Sequence, residues 1–242
     1  MWFEKDVFRL GYLATPLIPL LLATFSNVVQ LSILIPYIIG WSFLSISINL
    51  INDYIDKDRK IALKRKYLLA FSIMLIIFGS IILRDVIIFG VVYLAAGILY
   101  DLKIKGMKYI EVLFLATAIS IPYFSFAELI DWNLVGVILL ILASSILIDK
   151  GCDELKYKRL KRQSLILSKS LMMILSLFII YLSWLSSEYW FLLPLVMFYL
   201  GLTIKLKERH LVFNTKVTGI YTSIILLFYI FAVAVQLGKI VL

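Results

Sequence analysis

Ser42, Ser45, Asn49, Asn52, Asp53, Asp56 and Lys60 are related by steps of three and four residues, so a helix carries them as one polar stripe that ends in carboxylates. Ser145, Asp149 and Asp153 form a second stripe at four-residue intervals, with Glu154 beside it. Each acid pair precedes a basic run: Lys57, Arg59, Lys60, Lys64 and Arg65 after the first, and Lys156, Lys158 and Arg159 after the second. Two carboxylate pairs supply hard oxygen ligands for Mg²⁺, whose remaining positions suit phosphate oxygens and water. Neighbouring Lys and Arg would hold the rest of a diphosphate's charge. An isolated acid at a helix end is ordinarily solvated surface. Here serines and asparagines run back from Asp53 into apolar sequence, where polar groups are costly and face a cavity or a partner. Other chemistries drop out. Cys152 is the only cysteine and His210 the only histidine, which leaves no Cys-based or His-based metal cluster and no His-dependent triad. No GxxxxGK phosphate loop is present, so nucleotide hydrolysis has no support.

The carboxylates need elements to position them, and composition fixes their kind. Of 242 residues, 63% are AVILMFWYC and 16% are charged, with mean hydropathy +1.02. Soluble domains run at about 45–50% apolar and about 25% charged, so a water-soluble fold is excluded. A bilayer core of about 30 Å takes roughly 20 apolar residues per helix. Nine apolar runs, at 10–26, 31–51, 67–83, 86–100, 110–127, 133–148, 165–186, 189–204 and 217–238, predict nine transmembrane helices. Barrel strands would be roughly 10 residues long and strictly alternating, unlike these continuous runs, so the fold class is all-α. The spans leave only short connections, which makes 1–242 a single transmembrane domain. Gly40, Gly79, Gly90, Gly97 and Gly201 suit close helix contacts.

Charge then orients the helices. The N-terminal segment and the even-numbered connections hold 22 of the 24 Lys and Arg, and only Arg84 and Lys239 oppose them. By the positive-inside rule this side faces the cytoplasm, and it carries both aspartate pairs. The opposite connections are short and acidic, with Glu128, Asp131 and Glu188. The net charge of +9 is therefore a one-sided membrane surface and not a nucleic-acid footprint. Glu4 and Asp6 fall where a signal peptide would be positive, so the first apolar run is read as a retained helix.

The whole topology, with acids after helices 2 and 6, resembles the UbiA-type intramembrane prenyltransferases. Asn52-Asp53-Tyr54-Ile55-Asp56 is similar to the start of that family's first motif, Asn-Asp-x-x-Asp-x-x-x-Asp, with Lys60 standing at its final Asp and Arg65 as the following basic residue. Asp149-Lys150-Gly151-Cys152-Asp153 resembles the second motif, Asp-x-x-x-Asp. Tyr100-Asp101-Leu102-Lys103-Ile104-Lys105-Gly106 looks like the Tyr and Lys element after helix 4, with its lysines three and five residues beyond the tyrosine.

The resemblance implies transfer of a polyprenyl group from a polyprenyl diphosphate to a lipophilic acceptor, an aromatic ring or a hydroxyl, within the cell membrane. Asp53, Asp56, Asp149 and Asp153 would hold Mg²⁺, helped by Asn49 and Asn52. Arg65, Lys103, Lys105 and the Tyr100 hydroxyl would stabilise charge on the departing diphosphate. Asp101 and Glu111 are candidates for acceptor recognition or proton removal. A cyclase or diphosphate-releasing enzyme on the same scaffold is an alternative, as is a binder without turnover, which Lys60 favours. A carrier or lipid-binding membrane protein is a third, although transporter sites lie nearer the bilayer midplane than these acids.

Overall fold

Long apolar runs with no water to bond their backbones close those bonds within helices. Eight α-helices occur in the computed structural model, which describes residues 14–56, 65–156, 163–194 and 227–241. They are α1 (Ala14–Ala23), α2 (Leu31–Asp56), α3 (Arg65–Ile82), α4 (Ile87–Leu99), α5 (Lys108–Phe126), α6 (Trp132–Lys156), α7 (Gln163–Leu185) and α8 (Leu227–Gln236). The first seven match the first seven expected spans, and α8 lies in the ninth. The expected eighth span, at 189–204, lies mostly outside the described residues, so nine helices exceed what those residues contain.

Among the described residues, four stretches are long and apolar enough to cross a membrane: Leu31–Ile55, Arg84–Ile104, Tyr109–Phe126 and Ile166–Leu185. Tyr67–Ile82, Trp132–Leu147 and Leu227–Gln236 are apolar but shorter. The bundle's outer surface is apolar, with Ile77, Ile88, Leu113, Met173 and Leu177 all exposed. Trp132, Trp184 and Trp190 are exposed at one end, and Tyr67 and Tyr109 at the other, as two interfacial belts would be. The molecule is thus built as an integral membrane protein.

The helices pack as a chain of neighbours, α3 on α2, α2 on α4, α4 on α5, α5 on α6 and α6 on α7, with α1 against α5, α2 and α6. Leu20, Leu21, Leu22 and Ala23 of α1 are buried in the main core with Trp41, Leu44, Tyr123, Ile138 and Ile141. Between α3 and α4 the chain turns at the expected place, through a 3₁₀ turn at Arg84–Val86. Arg84 and Asp85 form a 3.6 Å ion pair there, about 80% exposed. Such charges must reach an interface, and the pair itself contributes little.

Close approach explains two glycines. A Cβ on Gly79 would lie 2.9 Å from the Leu44 side chain and 3.2 Å from the Gly40 carbonyl oxygen. On Gly97 it would lie 2.8 Å from the Ile48 side chain. Leu44 meets Gly90 and Ile48 meets Gly97, so residue numbers rise together along α2 and α4 and the two helices run parallel. Trp41 and Tyr93 stack edge-to-face across the same interface, with centroids 5.3 Å apart.

The two aspartate-bearing helices are each pinned to the next by the same device. Ser72 of α3 donates its hydroxyl to the Ser47 carbonyl of α2 at 3.0 Å, and Ser168 of α7 donates to the Ser144 carbonyl of α6 at 3.1 Å. All four serines are buried, and hydrogen bonds of this kind contribute about 0.6 kcal/mol on average between membrane helices.

Candidate functional site

α2 outruns its apolar stretch by five residues, from the expected 51 to Asp56, and α6 outruns 148 by eight, to Lys156. Both acid pairs therefore lie within helices, where steps of three and four residues place Asp53 with Asp56 and Asp149 with Asp153 on shared faces. The Asp56, Arg65, Asp149 and Asp153 backbones are helical, and their side chains lie outside the described residues, as does Lys60 entirely.

Along α2 the stripe turns inward as it approaches Asp53. Ser45 is buried and shares a side-chain hydrogen bond with Tyr93 of α4. Asn49 Nδ2 donates to the Ser45 carbonyl at 3.0 Å, and Asn49 and Asn52 are half-buried. Asp53 is 5% exposed, in a last turn that contains no basic residue. A buried carboxylate is a hard oxygen donor of the kind that Mg²⁺ takes, so the chemistry of Asp53 fits a hard metal.

The second element begins where α4 ends. Its helix widens into a π-helical turn, Tyr100–Ile104, a form that is frequent at functional sites. The turn closes when the Lys105 N–H donates to the Tyr100 carbonyl at 2.9 Å. Gly106 follows with φ at 92°, in the left-handed region that glycine enters without steric cost. Glu111, one turn into α5, is 6% exposed. Its Oε1 accepts the Tyr100 hydroxyl at 2.8 Å and its Oε2 accepts the Gly106 N–H at 2.9 Å. Lys103 and Lys105 project from the exposed side of this turn.

Two sets of contacts put these elements at one end of the bundle. α4 runs parallel to α2 with Gly97 beside Ile48, which brings Tyr100 to the level of the last turns of α2. α2 and α6 both start at the opposite end, where their preceding connections bond: Asn27 Nδ2 donates to the Phe126 carbonyl at 3.0 Å, and the Glu128 N–H to Asn27 Oδ1 at 3.3 Å. Both helices therefore finish at the end that carries Tyr100. Among the described residues, no cluster of three or more His, Cys, Asp and Glu could hold a metal.

Neither family models nor curated protein sequences match the chain. Solved structures do match its architecture. A UbiA homologue from Archaeoglobus fulgidus bound to Cd²⁺ superposes with a TM-score of 0.69 at 12% identity, over 96% of this chain and 99% of that one. The same homologue bound to GPP and Mg²⁺ gives 0.67 at 12% identity, over 95% and 97%. Digeranylgeranylglyceryl phosphate synthase gives 0.64 at 15% identity, over 96% and 98%. The fold is that of the UbiA-type prenyltransferases.

Within this UbiA-type fold, sequence reasoning missed the contacts that hold the far end together. Asp131 Oδ1 accepts the Asn133 and Leu134 N–H groups at 2.9 and 3.3 Å, capping α6, while its Oδ2 accepts the Tyr189 hydroxyl at 2.6 Å. An Asp directly before an apolar helical run signals such a cap. Nothing in the sequence signals Tyr189, 58 residues away.

Proposed function

We propose that this protein is a Mg²⁺-dependent prenyltransferase, moving a polyprenyl group from its diphosphate to a lipophilic acceptor at the cytoplasmic face of the cell membrane. The observation that carries the reading is a UbiA-type fold in which two aspartate-bearing helices, α2 and α6, finish at one end beside the Tyr100–Gly106 turn. Relatives of that fold bind GPP or DMAPP with Mg²⁺. The strongly basic connections orient that end toward the cytoplasm. All of 1–242 serves as one domain, with a prenyl diphosphate, an acceptor and membrane lipids as its partners.

In this reading Asp53, Asp56, Asp149 and Asp153 hold the metal, which when bound neutralises charge on the diphosphate. Asn49 and Asn52 lie beside Asp53 on α2 and orient the substrate by hydrogen bonding. Arg65, Lys103 and Lys105 offset the charge that grows on the diphosphate oxygen as the allylic C–O bond breaks and the electron pair leaves with that oxygen. The helices exclude water, so the allylic carbon is captured by the acceptor, an aromatic ring or a hydroxyl, which then loses a proton.

The test incubates purified protein in detergent with labelled prenyl diphosphates of several lengths, aromatic and glycerol-phosphate acceptors, and either Mg²⁺ or EDTA. Prenylated acceptor is expected with Mg²⁺ and not with EDTA. Diphosphate release into a cyclised or hydrolysed product with no acceptor adduct would replace transfer by the cyclase-type reading. Absence of both diphosphate binding and product under every condition sinks the proposal.

A further inference from the structure

Glu111 is a buried carboxylate that neither aspartate pair uses. Both of its oxygens are engaged, one by the Tyr100 hydroxyl at 2.8 Å and the other by the Gly106 N–H at 2.9 Å. These two donors bracket the segment that carries Lys103 and Lys105. One ends α4 and the other is the residue whose φ of 92° reverses the chain into α5. A carboxylate gripping both ends of so short a segment determines where its lysines stand. It also accepts the one hydrogen bond that the Tyr100 phenol can donate.

We propose that Glu111 is a positioning residue, clamping the Tyr100–Gly106 turn so that Lys103 and Lys105 face an anionic diphosphate, and that Tyr100 serves this clamp instead of donating to the substrate. The inference deepens the prenyl-diphosphate reading and rests on it for the identity of the anion. The clamp accounts for the wider π-helical turn at this point: Glu111 holds the Tyr100 side chain while the backbone bulges over it. It also accounts for a buried acid in a chain whose exposed ends offer ample water, because hydrogen bonds to a charged acceptor are the stronger kind.

The experiment uses the full-length protein in detergent and two readouts. Hydrogen exchange is followed over residues 101–107 in wild type, Glu111→Gln and Tyr100→Phe. Gln can keep an oxygen on the Gly106 N–H and turn its NH₂ to the Tyr100 oxygen but carries no charge, so about fivefold faster exchange is expected at Gly106, the difference between a charged and a neutral acceptor. Tyr100→Phe retains the ring and keeps Glu111 available, giving a smaller increase in the same segment. Unchanged exchange in both variants would overturn the clamp, whatever the protein's activity.

Binding of inorganic pyrophosphate with Mg²⁺ is then measured in wild type, both single variants and the double variant. Weakening of about tenfold is expected in Glu111→Gln, with the double variant no worse than that single one, because the two residues act through one interaction. Additive losses would show that Tyr100 contacts the anion directly and would overturn its assignment to the clamp. Accelerated exchange in the two variants, with a wild-type protein that binds no pyrophosphate, would leave the clamp standing and remove the prenyl-diphosphate reading.

Discussion

The two ends of the bundle use acidic residues in opposite ways. At the end holding the connections before α2 and α6, Asp131 is fully employed within the protein: it caps α6 and accepts from Tyr189. Tyr123 adds to the seam, accepting the Asp131 N–H at 3.1 Å and lying 3.2 Å from the Ser26 hydroxyl. The residues after α8 join it too, because Ile240–Val241 pairs in parallel with Val29–Gln30 at the start of α2. At the other end, Asp53 lies buried in the last turn of α2, with exposed lysines carried on a neighbouring turn. At the seam end the acid joins separate elements, whereas the site end sets one such clamp, Glu111, beside a buried carboxylate, Asp53, on a helix that continues past its apolar run.

Substitutions should separate the ends. The largest effect is expected from Asp53→Asn, which should lower Mg²⁺-dependent prenyl transfer by about a hundredfold or more, the scale of removing one preorganised electrostatic group. Asn keeps the size and shape of the side chain, so the helical signal by circular dichroism should be unchanged. Wild-type turnover would break the contrast.

Asp131→Ala should do the reverse. Loss of a cap and of a hydrogen bond to a charged acceptor should cost about 2–4 kcal/mol of stability. This would be seen as a lower unfolding midpoint with turnover per folded molecule unchanged. Between the ends, Gly79→Ala should cost about 1–3 kcal/mol by overpacking, because its Cβ would lie 3.2 Å from the Gly40 carbonyl oxygen, which cannot swing aside as Leu44 can. Both stability and activity should fall, since α2 carries Asp53. The smallest effect belongs to Tyr123→Phe, about 1 kcal/mol for one hydroxyl in the seam, read in the same melting experiment.

Much of the architecture was legible because a bilayer leaves so few options. The Arg84–Asp85 reversal fell where charges interrupt the apolar sequence, and the helix-period spacing of Asp53 with Asp56 and of Asp149 with Asp153 matched helices that continue past their apolar runs. Gly40, Gly79, Gly90 and Gly97, expected at close contacts, lie against Leu44, Leu83 and Ile48, and Gly201 lies outside the described residues. Glu111 was legible only as an ionisable group near a membrane surface. That it binds Tyr100 and Gly106 depends on a π-helical widening and a positive φ, which hydrophobic periodicity does not encode.

By itself, then, the sequence determined that this protein is a helical membrane bundle, and its charge asymmetry carried the expectation that the aspartate pairs share one side. Hydrophobic length and charge asymmetry are local properties, and the cost of polar groups in lipid translates them directly into topology. Which partners each acid takes was decided only in three dimensions. Asp131 and Glu111 are both acids near helix starts, but each one's role is set by partners that only packing delivers: Tyr189 from across the bundle and the Gly106 amide turned inward.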